Sequence, residues 1–394
     1  MLFRSGELQE GSSLGVAPRY ERLWRVLRSR LEAGGLLRRE GDRYFAVREF
    51  RPEPPSSDRW TSALERWPEA SAQLSLLRRC GESLAEVLVG GRDPLELLFT
   101  DGDYETAEAL YGETPIARLF AEALKGSLSA ISSGRNLRIL EVGAGTGATT
   151  SALAASLPAG GFTYLATDLS KALVQRSSRR FRDRPEVRCQ VLDLERSVLE
   201  QGVGEGSFDV VIAVNVLHAT RDLRATLEGL RPALSEGGLL LAVEATRSSL
   251  WGELTFGLTE GWWRYTDVDL RGSGPLLSAA QWLHLLDACG FTGASASPTT
   301  HDLGQHLLTA ASVGGPFVSA GSSSTRAPEE TAARDQEFAS SGDRFPASLV
   351  EEVATPSGSI PWRAGRTSPA VDPSDRKSTR LNSSHTVISY AVFC

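Results

Sequence analysis

LRILEVGAGTGATT, residues 137–150, joins an apolar run to three alternating glycines and then to small residues suited to a helix start. Leu137 to Val142 reads as a short buried strand. Gly143, Gly145 and Gly147 let the backbone turn tightly and come close to a ligand. The helix that follows opens with unsatisfied N–H groups. The pattern is moderately specific, because Gly143-x-Gly145-x-x-Ala148 also satisfies the dinucleotide fingerprint loosely. Its meaning rests on the flanking chain.

Downstream, strand and helix signals alternate. TYLATD (163–168), VRCQVLD (187–193), FDVVIAVNV (208–216) and LLLAVEA (239–245) are strand candidates, separated by helical stretches near 149–157, 171–181 and 221–234. Such alternation implies parallel strands with crossover helices, hence an α/β fold with a Rossmann-like open sheet. Ligands in these sheets sit outside the carboxyl ends of the strands. Residues 137–312 form this core, and residues 59–136, helical in pattern, read as a lid subdomain. Ahead of them lies a segment at 6–58. In it Tyr20 to Leu37 has near-helical spacing, Arg38 to Val47 reads as a hairpin, and FRPEPPSSD (50–58) reads as a linker. Helix, turn and hairpin resemble part of a winged helix. In an acidic chain, packing as a small lid subdomain is the simpler reading than DNA binding. Residues 313–374 are rich in Ser, Gly, Ala and Pro and read as a disordered interdomain linker.

Composition narrows the function classes. The 394 residues carry a net charge of −7, a poor match for nonspecific binding to nucleic acid or an anionic membrane. No apolar run reaches the roughly 20 residues that span a bilayer, and no signal peptide is evident. Cys80, Cys189, Cys289 and Cys394 are far apart, which speaks against a disulfide scaffold or a cysteine zinc site and suits a reducing cytoplasm. No metal is expected. Lysine occurs only at Lys125, Lys171 and Lys377, as in GC-rich bacterial coding. Both ends depart from this residue usage. DRKSTRLNSSH within residues 375–394, and residues 1–5, resemble translated frames of a sequencing adapter, so both are expected to be artefacts.

Acidic residues cluster at the expected strand ends. Asp168 ends the second strand, where a carboxylate can accept from two ribose hydroxyls, a feature NAD sites share. Asp193, with Leu194 beside it, ends the third strand and suits an adenine amino group, unless it merely caps a helix. Glu141 sits two before the first glycine. A carboxylate there can lie near the cationic methionine end of S-adenosylmethionine, directly or through water, whereas it would repel a dinucleotide pyrophosphate. Glu141, Gly143, Gly145, Gly147, Asp168, Asp193, Leu194 and Asn215 are therefore the expected cofactor contacts.

FDVVIAVNVLHATRDL (208–223) resembles the C-methyltransferase domain of modular polyketide synthases, as do LRILEVGAGTGATT (137–150), LAVEAT (241–246), FGLTEGWW (256–263) and DLRGSGPLLSAAQW (269–282). The likeness runs over about residues 59–312, with its motifs in order. It implies a class I methyltransferase fold and S-adenosylmethionine-dependent methylation at the α-carbon of a β-ketoacyl chain. That chain would be a thioester on the phosphopantetheine of an acyl carrier protein, with neighbouring synthase domains in cis. The family's His/Glu pair falls on His218 and Glu244.

The residues support the same chemistry. His218 lies just past the fourth strand and Glu244 at the end of the fifth, so adjacent strand ends can bring them together. A histidine held by a carboxylate has a fixed tautomer and serves as a general base. Tyr111 in ALYGETP can stabilise an enolate, line the donor pocket or simply pack. Asn215 can contact the donor or order the loop. Trp262 and Trp263 can wall an acyl channel and exclude water, or simply pack as ordinary core aromatics. His284 reads as structural, His301 and His306 carry no assigned chemistry, and Arg221, Asp222 and Arg224 read as a solvated helix start. The alternatives are an O- or N-methyltransferase of a related assembly line and a noncatalytic scaffold. The intact glycine loop and His/Glu pair speak against the scaffold.

Overall fold

The computed structural model describes residues 7–8, 14–47, 57–98, 105–132, 135–299 and 303–312. The terminal segments 1–5 and 375–394, the linker at 313–374 and His301 lie outside them. The N-terminal part holds β1 (Glu7–Leu8), α1 (Glu21–Ala33), β2 (Leu37–Glu40) and β3 (Arg43–Ala46), the strands ordered β1-β3-β2. Six helices follow: α2 (Ser57–Arg66), α3 (Ser71–Glu82), α4 (Leu84–Leu88), α5 (Pro94–Leu98), α6 (Glu105–Gly112) and α7 (Pro115–Ser132). Ser57 and Asp58, expected in the linker, instead open α2.

The core then alternates β4 (Leu137–Val142), α8 (Ala148–Ser156), β5 (Phe162–Asp168), α9 (Lys171–Arg180), β6 (Val187–Val191), β7 (Phe208–Val214), α10 (Leu223–Leu230) and β8 (Leu234–Ala245). After it come α11 (Leu250–Leu254), α12 (Val268–Arg271), α13 (Ala279–Ala288), β9 (Phe291–Ser297) and β10 (Gln305–Ser312). The seven-stranded sheet runs β6-β5-β4-β7-β8-β10-β9. Strands β4 to β8 pair in parallel, and β10 lies antiparallel between β8 and β9. This mixed, mostly parallel sheet bears out the α/β expectation. The antiparallel edge was not foreseen, because FTGASAS (291–297) has few large apolar residues.

Alternation along each strand sends side chains to opposite faces. Leu140, Val211 and Leu240 face a core shared with Leu227 of α10 and Trp282 of α13. Ile139, Ile212 and Leu241 face Leu124 and Leu128 of α7 and Leu153 of α8. β8 begins at Leu234 rather than at 239. Its LSEGG start is admitted by a register shift opposite Phe208 and Val210, with Gly237 at φ 69.

A third core joins three stretches distant in sequence. Leu23 and Leu27 of α1 and Leu76 of α3 pack with Leu258, Trp262 and Trp263 from the chain between β8 and α12. Arg30 donates to the buried Glu253 at 2.8 Å, and Arg22 donates to the Trp263 carbonyl at 2.7 Å. The cap over the sheet is thus built from the N-terminal segment, the helical stretch and the insertion after β8.

The sheet order reverses between β4 and β7, the crevice where open sheets bind ligands. Gly143 enters it at φ 64, and a Cβ there would meet Val216 Cγ2 at 2.3 Å. Gly143→Ala therefore adds left-handed strain and overpacking together. The expected cost is about 2–5 kcal/mol, read from the denaturant midpoint, and Val216→Ala in the same chain should recover part of it. An unchanged midpoint would contradict this account of the loop.

Candidate active site

The site gathers at the carboxyl ends of β4, β5, β7 and β8. After β4, Gly143, Gly145 and Gly147 all hold positive φ. Asp168, ending β5, faces this loop: its Oδ2 accepts from the Gly145 N–H and its Oδ1 from the Ser170 N–H, both at 2.8 Å. Burial of this 2% exposed carboxyl pushes its pKa up to about 7. Beside it opens a cavity of about 130 Å³ lined by Gly143, Asp168, Leu169, Asp193, Leu194 and Val216, among others. Apolar side chains with carboxylates on the same lining suit a nucleoside, with its flat base and hydroxylated sugar.

Asp193 lies two residues beyond β6, not at its end. Its Oδ1 accepts from the Glu195 N–H at 2.9 Å, while Gln201 holds its backbone. It lines the cavity and also fastens the turn. Glu141 is placed otherwise than expected. It is 1% exposed, accepts hydrogen bonds from the hydroxyls of Thr150 and Tyr164, and lines neither main cavity. Burial pushes its pKa up to about 7. Side-chain alternation turns it toward α8, so it braces the strand beneath the glycine loop.

Asn215 ends β7 at φ 50, a left-handed conformation that asparagine tolerates better than most residues. Its N–H donates to the Val243 carbonyl at 2.7 Å, and its Oδ1 accepts from the Ala245 N–H at 3.0 Å. These bonds staple the ends of β7 and β8 and start the turn that carries His218. Glu244 is fully buried. Its Oε1 accepts from the Val216 and Leu217 N–H groups at 3.1 and 2.8 Å. Its Oε2 lies 2.5 Å from His218 Nδ1. Two backbone N–H groups and the ring nitrogen thus surround the carboxylate. His218 then donates from Nδ1, and Nε2 is left on the opposite ring edge as a proton acceptor.

His218 is 5% exposed and lines a second cavity of about 400 Å³, shared with Tyr111, Asn215 and Trp262. Trp262 meets the imidazole edge-on at 5.7 Å between centroids. Trp263 instead donates from Nε1 to the Gly257 carbonyl at 2.9 Å and packs in the cap. Both tryptophans thus pack in the cap, and Trp262 also walls the cavity. His284 is exposed on α13, contrary to its structural reading. His306 Nδ1 lies 2.7 Å from Thr246 Oγ1. Asp222 caps α10, and Arg221 pairs with Glu195. Among the described residues, no group of three or more His, Cys, Asp or Glu is arranged to hold a metal ion.

One contributor was missed from sequence. Arg271, 5% exposed on α12, donates to the carbonyls of His218 at 2.6 Å and Thr220 at 2.5 Å. Its Nε lies 2.7 Å from Asp267 Oδ1, an ionic contact without hydrogen-bond alignment, and Asp267 Oδ2 accepts from the Leu223 N–H. The clamp holds the histidine turn from outside. Its only signal was the Asp267/Arg271 spacing of four within DVDLR.

A family model described as a methyltransferase domain matches residues 140–240. The chain is 34% identical over 309 residues to polyketide synthase ThaG of Burkholderia thailandensis, which covers 76% of this chain and 5% of that protein. The crystal structure of the DszA carbon methyltransferase superposes with a TM-score of 0.74 at 33% identity, covering 80% of this chain and 86% of that one. The trans-methyltransferase CalH, solved in complex with SAH, superposes with a TM-score of 0.60 at 25% identity, covering 77% and 87%. The chain spans 11%, 5% and 10% of three of the curated polyketide synthase-type relatives it matches.

Proposed function

Since the chain belongs to the carbon methyltransferase family of polyketide synthases, we propose that it methylates the α-carbon of a β-ketoacyl thioester presented by an acyl carrier protein, with S-adenosylmethionine as donor. The observation that carries this reading is the buried His218–Glu244 pair at a cavity wall, 2.5 Å between Nδ1 and Oε2. His218 takes the α-proton at Nε2, and Glu244 holds the tautomer that makes this possible. The proton is acidic because ketone and thioester flank it, and the carbanion exposed at that carbon is the nucleophile. S-adenosylmethionine, when bound, supplies an electrophilic methyl group. Asp168 would accept from its ribose hydroxyls, Asp193 and Leu194 would border the base, and the loop at Gly143, Gly145 and Gly147 would hold it from the backbone. Asn215 and Arg271 keep the histidine turn in place. Glu141 acts from beneath the loop. Tyr111 and Trp262 line the acyl cavity and exclude water, and Tyr111 is the residue we assign to donate to the enolate oxygen.

Residues 137–312 are the proposed catalytic core with 59–136 as part of its lid, and other domains of the synthase act in cis. We assign the protein to the cytoplasm, a reading supported by the free thiols of Cys80, Cys189 and Cys289. Among the described residues no helix is long and apolar enough to cross a membrane. Incubating the chain with a β-ketoacyl thioester and methyl-labelled donor should give label on carbon. Label on oxygen would make it an O-methyltransferase.

A pH dependence follows from Asp168. Only its ionised form accepts fully from the ribose, and its pKa stands near 7 before the donor arrives. Protonation therefore competes with binding as pH falls through that value. Affinity for S-adenosylhomocysteine should weaken about five- to tenfold between pH 8 and pH 6. Titration calorimetry at both pH values reads this. Asp168→Asn should flatten the dependence and weaken binding at pH 8. Glu141→Gln should preserve the dependence, and if it abolishes it, the titrating group is misassigned.

A further inference from the structure

The larger cavity has an uneven charge distribution. Among the described residues its lining contains no Asp or Glu, and besides His218 it contains a single basic side chain, Arg247. Arg247 is exposed and stands at the start of an exposed run through Leu250, itself 52% exposed. Arg247 and Ser249 of this run are exposed residues of the lining, whereas His218, 5% exposed, is a buried one. Between them the walls are mostly apolar, with Phe120 and Leu124 from α7 among them. Arg247 follows Glu244 by three residues, so its Cα is within about 11 Å of that of Glu244 along extended chain. The guanidinium adds its own side-chain length. The cavity thus offers an exposed cation, mostly apolar walls and a buried base, which suits a ligand with an anionic end, a neutral body and an acidic C–H. A carboxylate on the lining would oppose such a ligand, and among the described residues there is none.

We propose that Arg247 is the seat for the phosphodiester of the phosphopantetheine arm, and that the opening at 247–249 is the port through which the acyl thioester enters. This rests on the carrier-bound substrate reading above and adds a subsite to it. A guanidinium can hold two phosphate oxygens in parallel and so fixes the depth to which the arm inserts. Depth matters because the α-carbon must come within hydrogen-bond reach of His218 Nε2. Gln73 and Gln305, which also line the cavity, offer amides to the neutral amides of the arm.

The test compares two small substrates that differ in one phosphate: a β-ketoacyl phosphopantetheine and the matching β-ketoacyl pantetheine thioester. The parent chain should show the higher kcat/KM with the phosphorylated substrate, the difference lying in KM. Arg247→Ala should reduce that preference by about five- to twentyfold, the scale of an exposed charge-assisted contact. Arg247→Lys should keep part of it, and Arg247→Glu should reverse it. Equal losses on both substrates in Arg247→Ala would overturn the proposal. Calorimetry with phosphopantetheine and pantetheine, neither acylated, reads the same preference without turnover. Tighter binding of the phosphorylated arm, lost in Arg247→Ala, supports the subsite even if no methylation is seen, in which case the failure lies with the substrate reading. Equal binding of the two arms, or binding of neither, overturns the subsite while leaving that reading intact.

Discussion

His218→Ala should lower turnover by about 10²–10⁴-fold, the range for loss of a positioned general base, while S-adenosylhomocysteine binds within about threefold of the parent. The two effects separate because the imidazole lines the larger cavity, whereas Asp168, Asp193 and Leu194 line the smaller one. The proton-transfer group and the nucleoside contacts share no side chain. Removing the ring also leaves the fully buried Glu244 short of one donor, so some stability is lost, and the unfolding free energy should fall by about 1–3 kcal/mol. His218→Gln keeps a donor near the carboxylate and should fold better, yet it provides no base. A folded His218→Gln protein that methylates at the parent rate would sink the assignment of the base.

Glu244→Gln should act through the histidine. The carboxylate accepts three hydrogen bonds, two from backbone N–H groups and one from His218. An amide retains an acceptor for the backbone pair and turns its NH2 toward the imidazole. Nδ1 must then accept, the ring proton moves to Nε2, and the face toward the cavity becomes a donor. The expected loss in kcat is about 10³–10⁴-fold, the scale seen when a paired carboxylate no longer sets the tautomer. Donor affinity should be unchanged. Glu244→Ala is the less informative variant, because it strands all three donors inside the protein at about 1–3 kcal/mol each. If Glu244→Gln retains parent kcat in a folded chain, the carboxylate only supports the loop.

The parts legible from sequence are those carried by short contiguous patterns. Gly143, Gly145 and Gly147 announce a tight turn because only glycine enters left-handed backbone freely, and all three hold positive φ. Asp168 and Glu244 terminate apolar runs, which in a parallel sheet places them at the ligand edge. The boundaries slipped where local pattern met longer-range pairing: β8 starts five residues early through a bulge, and β7 stops at Val214 because Asn215 turns left-handed. Glu141 shows the same limit. Its acidic character suggests a ligand contact, but which face of β4 it occupies depends on where Tyr164 and Thr150 arrive.

Periodicity and punctuation in the chain were enough to establish an open α/β sheet and its glycine loop, since hydrophobic alternation and backbone stereochemistry act between near neighbours, while the pairing of His218 with Glu244 was implied by the family resemblance. Contacts between distant segments had to settle the rest. Arg271 reaches back across the fold to the carbonyls of His218 and Thr220, α1 joins the same core as Trp262, and Arg247 comes to line the same cavity as His218. No local propensity encodes these placements. They follow from which apolar faces must cover one another to leave water, and that choice is made by the whole chain at once.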